Sequence, residues 1–275
     1  MTIVSLAALT VLDAGPAGHI EAAHSAGFAY AGLRLQPLLP SDETIAGLVA
    51  REQQILALLD ATGIKPLEIG VFPIKPGLNV ENYGPVLNFS HRIGARFITC
   101  PIEDTNKARR LESFVRLCEL AETCGLETLV EFNPYSGCKS LSEALEFVEA
   151  SGRPDARLLI DVLHLARSGG SPDDLRSVDP ALVALVHLCD ANPPPEGLSS
   201  EEELRRESRT ARLYPGEGVL WLDELLDAIA PDTPLSIEAP SAAHAHLPAA
   251  ERAKRALQAT RTLLTRHAER AAKRG

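Results

Sequence analysis

The stretch Glu127–Val162, ETLVEFNPYSGCKSLSEALEFVEASGRPDARLLIDV, reads as one complete strand–helix–strand unit. It opens on the apolar run Glu127–Phe132 and closes on a second, Arg157–Val162. Both are nearly continuous in hydrophobicity, as strands of a parallel sheet covered on its outer side should be. Between them Ser140-Leu-Ser-Glu143 fits a capping box, in which the serine hydroxyl and the glutamate carboxylate satisfy backbone N–H groups at a helix start. The same rhythm extends in both directions. Further short apolar runs are Ile3–Thr10, Tyr30–Leu35, Pro66–Phe72, Arg96–Pro101, Leu182–Leu188 and Pro234–Glu238. Helical patterns lie between most of them, and those over Thr44–Thr62 and Lys107–Cys124 stop just before Gly63 and Gly125. Ser171-Pro172-Asp173-Asp174 puts a proline at the first position of another helix. Repeated eight times, such a unit predicts a closed α/β barrel, the (β/α)8 TIM barrel, which typically runs to about 250 residues. No linker divides the units, so residues 1–275 are expected to form one domain. The tail after Arg261, basic and rich in small residues, is expected to be a helix end fraying into solvent.

Composition narrows the function. Apolar residues make up 45% and charged residues 23% of the 275, the balance of a globular protein. The net charge of −10 argues against a nucleic-acid partner, which demands a positive surface against the phosphates. The five cysteines are odd in number and form no CxxC pair, so they read as reduced thiols of a cytoplasmic protein. The opening MTIVSLAALTVLDAG has no basic start, and Asp13 interrupts it after a short apolar run; a first strand fits it better than a signal peptide. No segment approaches the ~20 apolar residues of a membrane span. One interval breaks the rhythm. Ala191–Tyr214, with three prolines and a highly charged helical pattern, is too long for a strand-to-helix turn. It is either a solvated excursion or a lid over the barrel mouth.

Four ionisable side chains end apolar strands: LVE131, LLID161, LVH187 and LSIE238. The first two intervals are close to the ~30 residues of one βαβ repeat. This places Glu131, Asp161, His187 and Glu238 on strands five to eight, at one height, on the C-terminal face where barrel active sites lie. Three clustered carboxylates would repel and raise one another's pKa unless a cation neutralised them. One divalent metal ion is therefore expected, and the oxygen-rich set suits Mn2+ or Mg2+, with Co2+ or Zn2+ as alternatives. His164, three residues beyond Asp161, is a candidate for binding a substrate oxygen or donating a proton, and Asp190 for orienting a ligand histidine. Arg212 is either a substrate clamp or an exposed arginine paired within its own charged stretch. Glu68, in the third strand, either lines the pocket or pairs with a barrel lysine or arginine. His244 and His246, in the loop after the last strand, read as solvent-exposed.

With VEFNP around Glu131, IDVLHL around Asp161 and His164, VHLCDAN around His187, RLYPGEG beginning at Arg212 and SIEAP around Glu238, the chain resembles the xylose isomerase-like barrel superfamily of sugar phosphate isomerases and epimerases. The resemblance covers essentially the whole chain. It implies a small polyhydroxy substrate, and members often pair as homo-oligomers. The apurinic endonucleases of that superfamily carry extra histidine ligands that the third and fourth strands here, PLEIGVF and RFITCP, lack. Thr210 and Arg212 stand where those nucleases have a DxH pair.

The expected chemistry follows from charge. An α-hydroxycarbonyl substrate would coordinate through adjacent oxygens, and the cation would stabilise the enediolate formed when a carbon-bound proton leaves. Glu131 and Glu238 are the expected acid and base. The leading expectation is an isomerase or epimerase of a sugar-like α-hydroxyketone. The alternative is a lyase dehydrating a keto-inositol or a dehydroshikimate-like substrate, since both routes share one intermediate.

Overall fold

A computed structural model describes residues 2–36, 44–194 and 200–273. Among them, parallel strands close in chain order into a barrel: β1 (Val4–Leu6), β2 (Tyr30–Arg34), β3 (Lys65–Gly70), β4 (Phe97–Pro101), β5 (Glu127–Glu131), β6 (Ala156–Asp161), β7 (Val183–Leu188) and β8 (Leu235–Ile237). The pairing of Val4 with Leu235 joins the two ends of the sheet. The outer layer comprises α1 (Gly15–Ala26), α2 (Ile45–Ala50), α3 (Glu52–Thr62), α4 (Gly84–Arg92), α5 (Lys107–Thr123), α6 (Leu141–Ser151), α7 (Val162–Arg167), α8 (Pro172–Arg176), α9 (Glu201–Thr210), α10 (Leu222–Ala228) and α11 (Ala249–Ala272). The barrel is the (β/α)8 TIM barrel that the strand spacing predicts. No helix among the described residues is long and apolar enough to cross a membrane.

Two apolar clusters fill the molecule. The larger lies between the strands and the helices, and the smaller, built from Leu67, Phe97, Leu129, Leu159, Ala184 and Leu185, fills the barrel. Side chains alternate between the faces of a strand. Leu129, Leu159 and Leu185 therefore carry the residues two further on, Glu131, Asp161 and His187, on the same inward face one layer nearer the C-terminal mouth.

Three expectations change at the edges. The run Ile3–Thr10 is a strand only over Val4–Leu6; Ala8–Ala14 winds into 3-10 turns. The Thr10 hydroxyl donates to the Ile237 carbonyl at 2.7 Å and accepts from the Ala239 amide at 2.9 Å, so this segment leaves the ladder to cover the end of β8. The Thr44–Thr62 pattern is interrupted at Arg51, between α2 and α3. Within the described residues the tail after Arg261 stays helical to Ala272 rather than fraying. Ala256, Leu257, Thr260 and Leu263 of α11 are buried at helical spacing. Beyond them Arg266 and Arg270 reach Asp223 and Asp227 on α10 at 3.0 and 2.7 Å. Of the excursion after β7, residues 195–199 lie outside the described ones. Its remainder is chiefly α9, begun by a Ser200–Glu203 capping box.

Candidate active site

β5, β6, β7 and β8 bring Glu131, Asp161, His187 and Glu238 together. One ligand atom from each lies within 4.8 Å of the others. The register explains this. Asp161 is paired directly with His187 across β6 and β7. Glu238 follows β8 with its backbone N–H on the Leu188 carbonyl, at 3.0 Å. Asp161 is fully buried, Glu131 and His187 nearly so, and the Glu238 side chain is 12% exposed.

Charge at this point is finely divided. Burial, and after it the Glu238 carboxylate, pushes the Glu131 carboxyl up to about 8. Burial disfavours the His187 imidazolium, but Glu238 at 3.5 Å and Glu68 at 3.7 Å outweigh it and hold His187 well above its usual range. Asp161 and Glu238 are likewise resisted by burial, yet Arg212 beside Asp161, and His187 with Arg212 beside Glu238, keep both carboxyls below the ordinary carboxylate range. The donor set fits a hard divalent cation. Both ring nitrogens of His187 are buried without a hydrogen-bond partner, although buried polar groups are normally satisfied. A cation at the centre would give one of them its missing partner.

Arg212 is not the exposed, locally paired residue that its charged neighbourhood allowed. It is 1% exposed. Its Nη1 donates to Asp161 Oδ2 at 2.6 Å, its Nη2 lies 3.2 Å from Glu238 Oε2, and its Nε donates to the Ser208 carbonyl at 2.7 Å. Glu68 has no lysine or arginine partner among the described residues. It accepts the Ser236 hydroxyl at 2.5 Å and faces His187, on the inner side of the barrel. His164 is buried, and burial lowers it to about 4, so its imidazole is neutral. Its amide donates to Asp161 Oδ1 at 3.0 Å, and Nε2 lies 4.0 Å from Asp161 Oδ2. Asp190 does not orient a ligand histidine. It is buried and accepts the amides of Gly216 and Leu220 at 3.1 and 2.9 Å, which makes it the anchor of the PGEG loop. A side chain at Gly218 would collide with the same carboxylate, 2.4 Å from Oδ1.

Tyr135 and Ser208 carry no motif that singles them out in the sequence. The Tyr135 hydroxyl meets Ser208 Oγ at 2.7 Å and His164 Nε2 at 3.5 Å, and the Arg205 guanidinium lies over its ring at 4.6 Å. Arg167 on α7 pairs with Glu207 at 2.6 Å. These contacts hold α9 against the β5 and β6 loops, so the described part of the excursion covers the mouth rather than standing off in solvent.

Fold and site together define a (β/α)8 barrel with a carboxylate–imidazole centre at its C-terminal mouth. The chain belongs to the family described as xylose isomerase-like TIM barrel, whose model matches residues 20–263. Curated relatives include two inosose isomerases. That of Halalkalibacterium halodurans is 29% identical over 115 residues, 41% of this chain and 38% of the relative. That of Bacillus licheniformis is 23% identical over 160 residues, 54% of this chain and 55% of the relative. The matches thus span about half or less of those relatives' length. Among solved structures, the IolI protein with a bound zinc atom superimposes with a TM-score of 0.80 at 18% identity, covering 97% of this chain and 99% of that one. A D-allulose 3-epimerase from Methylomonas sp., in complex with D-allulose, gives 0.69 at 16% identity, covering 95% and 96%. At these identities the structural likeness concerns the fold.

Proposed function

We propose that the chain is a divalent-metal-dependent isomerase or epimerase of a sugar or a sugar-like α-hydroxyketone. The observation that carries this reading is the convergence of Glu131, Asp161, His187 and Glu238 within 4.8 Å at the barrel mouth. Family membership and the names of the relatives support the substrate class. The three-carboxylate, one-imidazole set favours Mn2+ or Mg2+, and the zinc of the structural neighbour makes Zn2+ the alternative to test.

In this reading Glu131, Asp161, His187 and Glu238 hold the ion, which supplies Lewis-acid polarisation of a carbonyl oxygen. The remaining work belongs to the chain. Glu131 on β5 and Glu238 after β8 stand on strands that are not neighbours in the barrel. One carboxylate takes the proton from the carbon beside the carbonyl, and the other returns it. His164, kept neutral by burial, offers Nε2 to a substrate hydroxyl, with Tyr135 holding the ring. Arg212 keeps Asp161 ionised and orders the centre between turnovers. Glu68 holds His187 from the barrel side through their close approach. The contacts of α9 keep water away from the transferred proton. All five cysteines are free and buried, which suits a reducing cytoplasm.

The test is solvent deuterium exchange, with Mn2+ present, into a panel of ketoses, keto-inositols and dehydroshikimate. Exchange at the carbon next to the carbonyl is expected, and it should fall by about 10²–10⁴-fold in Glu131→Gln and in Glu238→Gln. A new ultraviolet absorbance from an unsaturated product would identify a dehydratase instead. Unchanged exchange in both variants rejects the proposed chemistry.

A further inference from the structure

Of the four candidate ligands, Glu238 is the one that stands outside its strand. Glu131 is the last residue of β5 and is paired with Pro101 and Leu159 on either side. Asp161 and His187 pair with each other within β6 and β7. β8, by contrast, ends at Ile237. Its neighbour β1 ends at Leu6, opposite Ile237, and the Ala7 amide on the Ile237 carbonyl at 3.1 Å carries that edge one residue further. On the other edge the Glu238 amide reaches the carbonyl of Leu188, the end of β7, at 3.0 Å. The backbone thus leaves the sheet at the residue whose carboxylate is a candidate for both metal binding and proton transfer.

The Thr10 hydroxyl stands where that ladder stops. It donates to the Ile237 carbonyl at 2.7 Å and accepts from the Ala239 amide at 2.9 Å. The Ile237 carbonyl belongs to the peptide unit before Glu238, and the Ala239 amide to the unit after it. One oxygen atom therefore pins both units that set the φ and ψ of Glu238, and the hydroxyl uses its donor and an acceptor site at once. Thr10, Ile237 and Ala239 are all buried, so water cannot take over either bond, and a buried backbone group left unpaired is costly. Thr10 is itself firmly held. Val11 beside it is packed in the core, and Asp13 pairs with Arg252 of α11 at 2.6 Å. The contacts of the Glu238 carboxylate are looser, with His187 Nδ1 at 3.5 Å and Arg212 Nη2 at 3.2 Å. Its direction is set first by the backbone that carries it.

We propose that Thr10 is a positioning residue for Glu238: its hydroxyl replaces the missing strand partner and fixes the backbone from which the carboxylate reaches the centre. This role presupposes the metal-dependent isomerase or epimerase proposed for the site, and brings to it a residue from the far end of the chain. Thr10 acts through two peptide units. A misplacement of about 1 Å can cost about 10²-fold in rate, and groups that hold metal ligands in place are typically worth about 10–100-fold in affinity or activity. A hydroxyl that served only to close the edge of β8 would change stability and leave both untouched.

The experiment compares three variants of the full chain. Thr10→Val keeps the shape and removes the hydroxyl, and Thr10→Ser keeps the hydroxyl. Thr260→Val is the structural control, because Thr260 is equally buried and its hydroxyl donates to the Ala256 carbonyl at 2.9 Å within α11. Both valine variants should lower Tm. Only Thr10→Val should weaken Mn2+ binding, titrated with the metal alone, by about tenfold or more. It should also lower kcat for deuterium exchange into the ketose panel with little change in KM. Thr10→Ser should recover both. If Thr10→Val does not fold, Thr10→Ala carries the same comparison. Should the parent take up no Mn2+, the metal reading falls and exchange of the Ala239 amide decides: faster in Thr10→Val than in Thr260→Val upholds the clamp, and equal rates overturn it. With Mn2+ bound, the proposal is overturned if Thr10→Val matches Thr260→Val in both affinity and kcat, or if Thr10→Ser recovers nothing that Thr10→Val loses.

Discussion

Replacing Arg212 by methionine keeps most of the side-chain volume and removes a guanidinium that bridges Asp161 and Glu238 at 2.6 and 3.2 Å. Because Arg212 is 1% exposed and Asp161 fully buried, solvent cannot take over the lost pairing. Removing one partner of such a buried pair costs about 3–5 kcal/mol, chiefly because the remaining charge is stranded. For a chain of this size that is a fall in Tm of about 6–20 °C. Urea unfolding followed by circular dichroism, near pH 8 and without added metal, measures it. Two dependences should accompany the loss. Mn2+ neutralises the same carboxylates, so it should stabilise the variant more than the parent and narrow the gap. Acid should narrow it too. The folded-state pKa values of Asp161 and Glu238 are depressed, so the stability they contribute is present above the ordinary carboxylate range and is lost as pH falls through their folded values. A loss below about 1 kcal/mol, the scale of an exposed pair, would refute the buried bridge.

Neighbouring groups give further expected outcomes. A Cβ at Gly32 would lie 2.1 Å from Glu68 Oε1, so Gly32→Ala must drive Glu68 off Ser236; Glu68→Ala in the same chain should recover part of the lost Tm, a coupling a double-mutant cycle reads directly. Burial holds His19, bonded to the Leu6 carbonyl at 2.9 Å, down to about 4. The folded state therefore binds fewer protons than the unfolded one between that value and about 6.5. Stability should fall over this window as pH drops, by up to about 3 kcal/mol, and His19→Gln should flatten the slope. Mn2+ requires neutral His187 and ionised Glu131, and in the metal-free protein the surroundings raise both pKa values, favouring the protonated forms. Binding should therefore release protons and weaken as pH falls, which calorimetry in buffers of different ionisation enthalpy detects.

Much of the barrel and its centre is legible in the sequence because hydrophobic runs and their spacing carry strand order directly. Glu131, Asp161, His187 and Glu238 each end such a run, and strand pairing then leaves little freedom in where they meet. The features hidden from sequence reading depend on contacts distant along the chain. Thr10 leaves β1 because it bonds residues flanking Glu238. The tail beyond Arg261 stays helical because acids on α10 lie opposite its arginines. Arg212 looks exposed amid charged neighbours, and only the return of the chain after α9 shows that it faces Asp161. Asp190 repeats the DxxH-like spacing of a ligand pair in reverse, yet the amides of the PGEG loop claim it. Tyr135 gains meaning only when α9 brings Ser208 to its hydroxyl.

The central claim is that four side chains from β5 to β8 share one cation. Anomalous diffraction from a crystal soaked in Mn2+ tests it most directly. A single strong peak about 2.0–2.3 Å from oxygens of Glu131, Asp161 and Glu238 and a ring nitrogen of His187 is the expected result. A peak elsewhere, with Asp161 and Glu238 still bridged by Arg212, would contradict it.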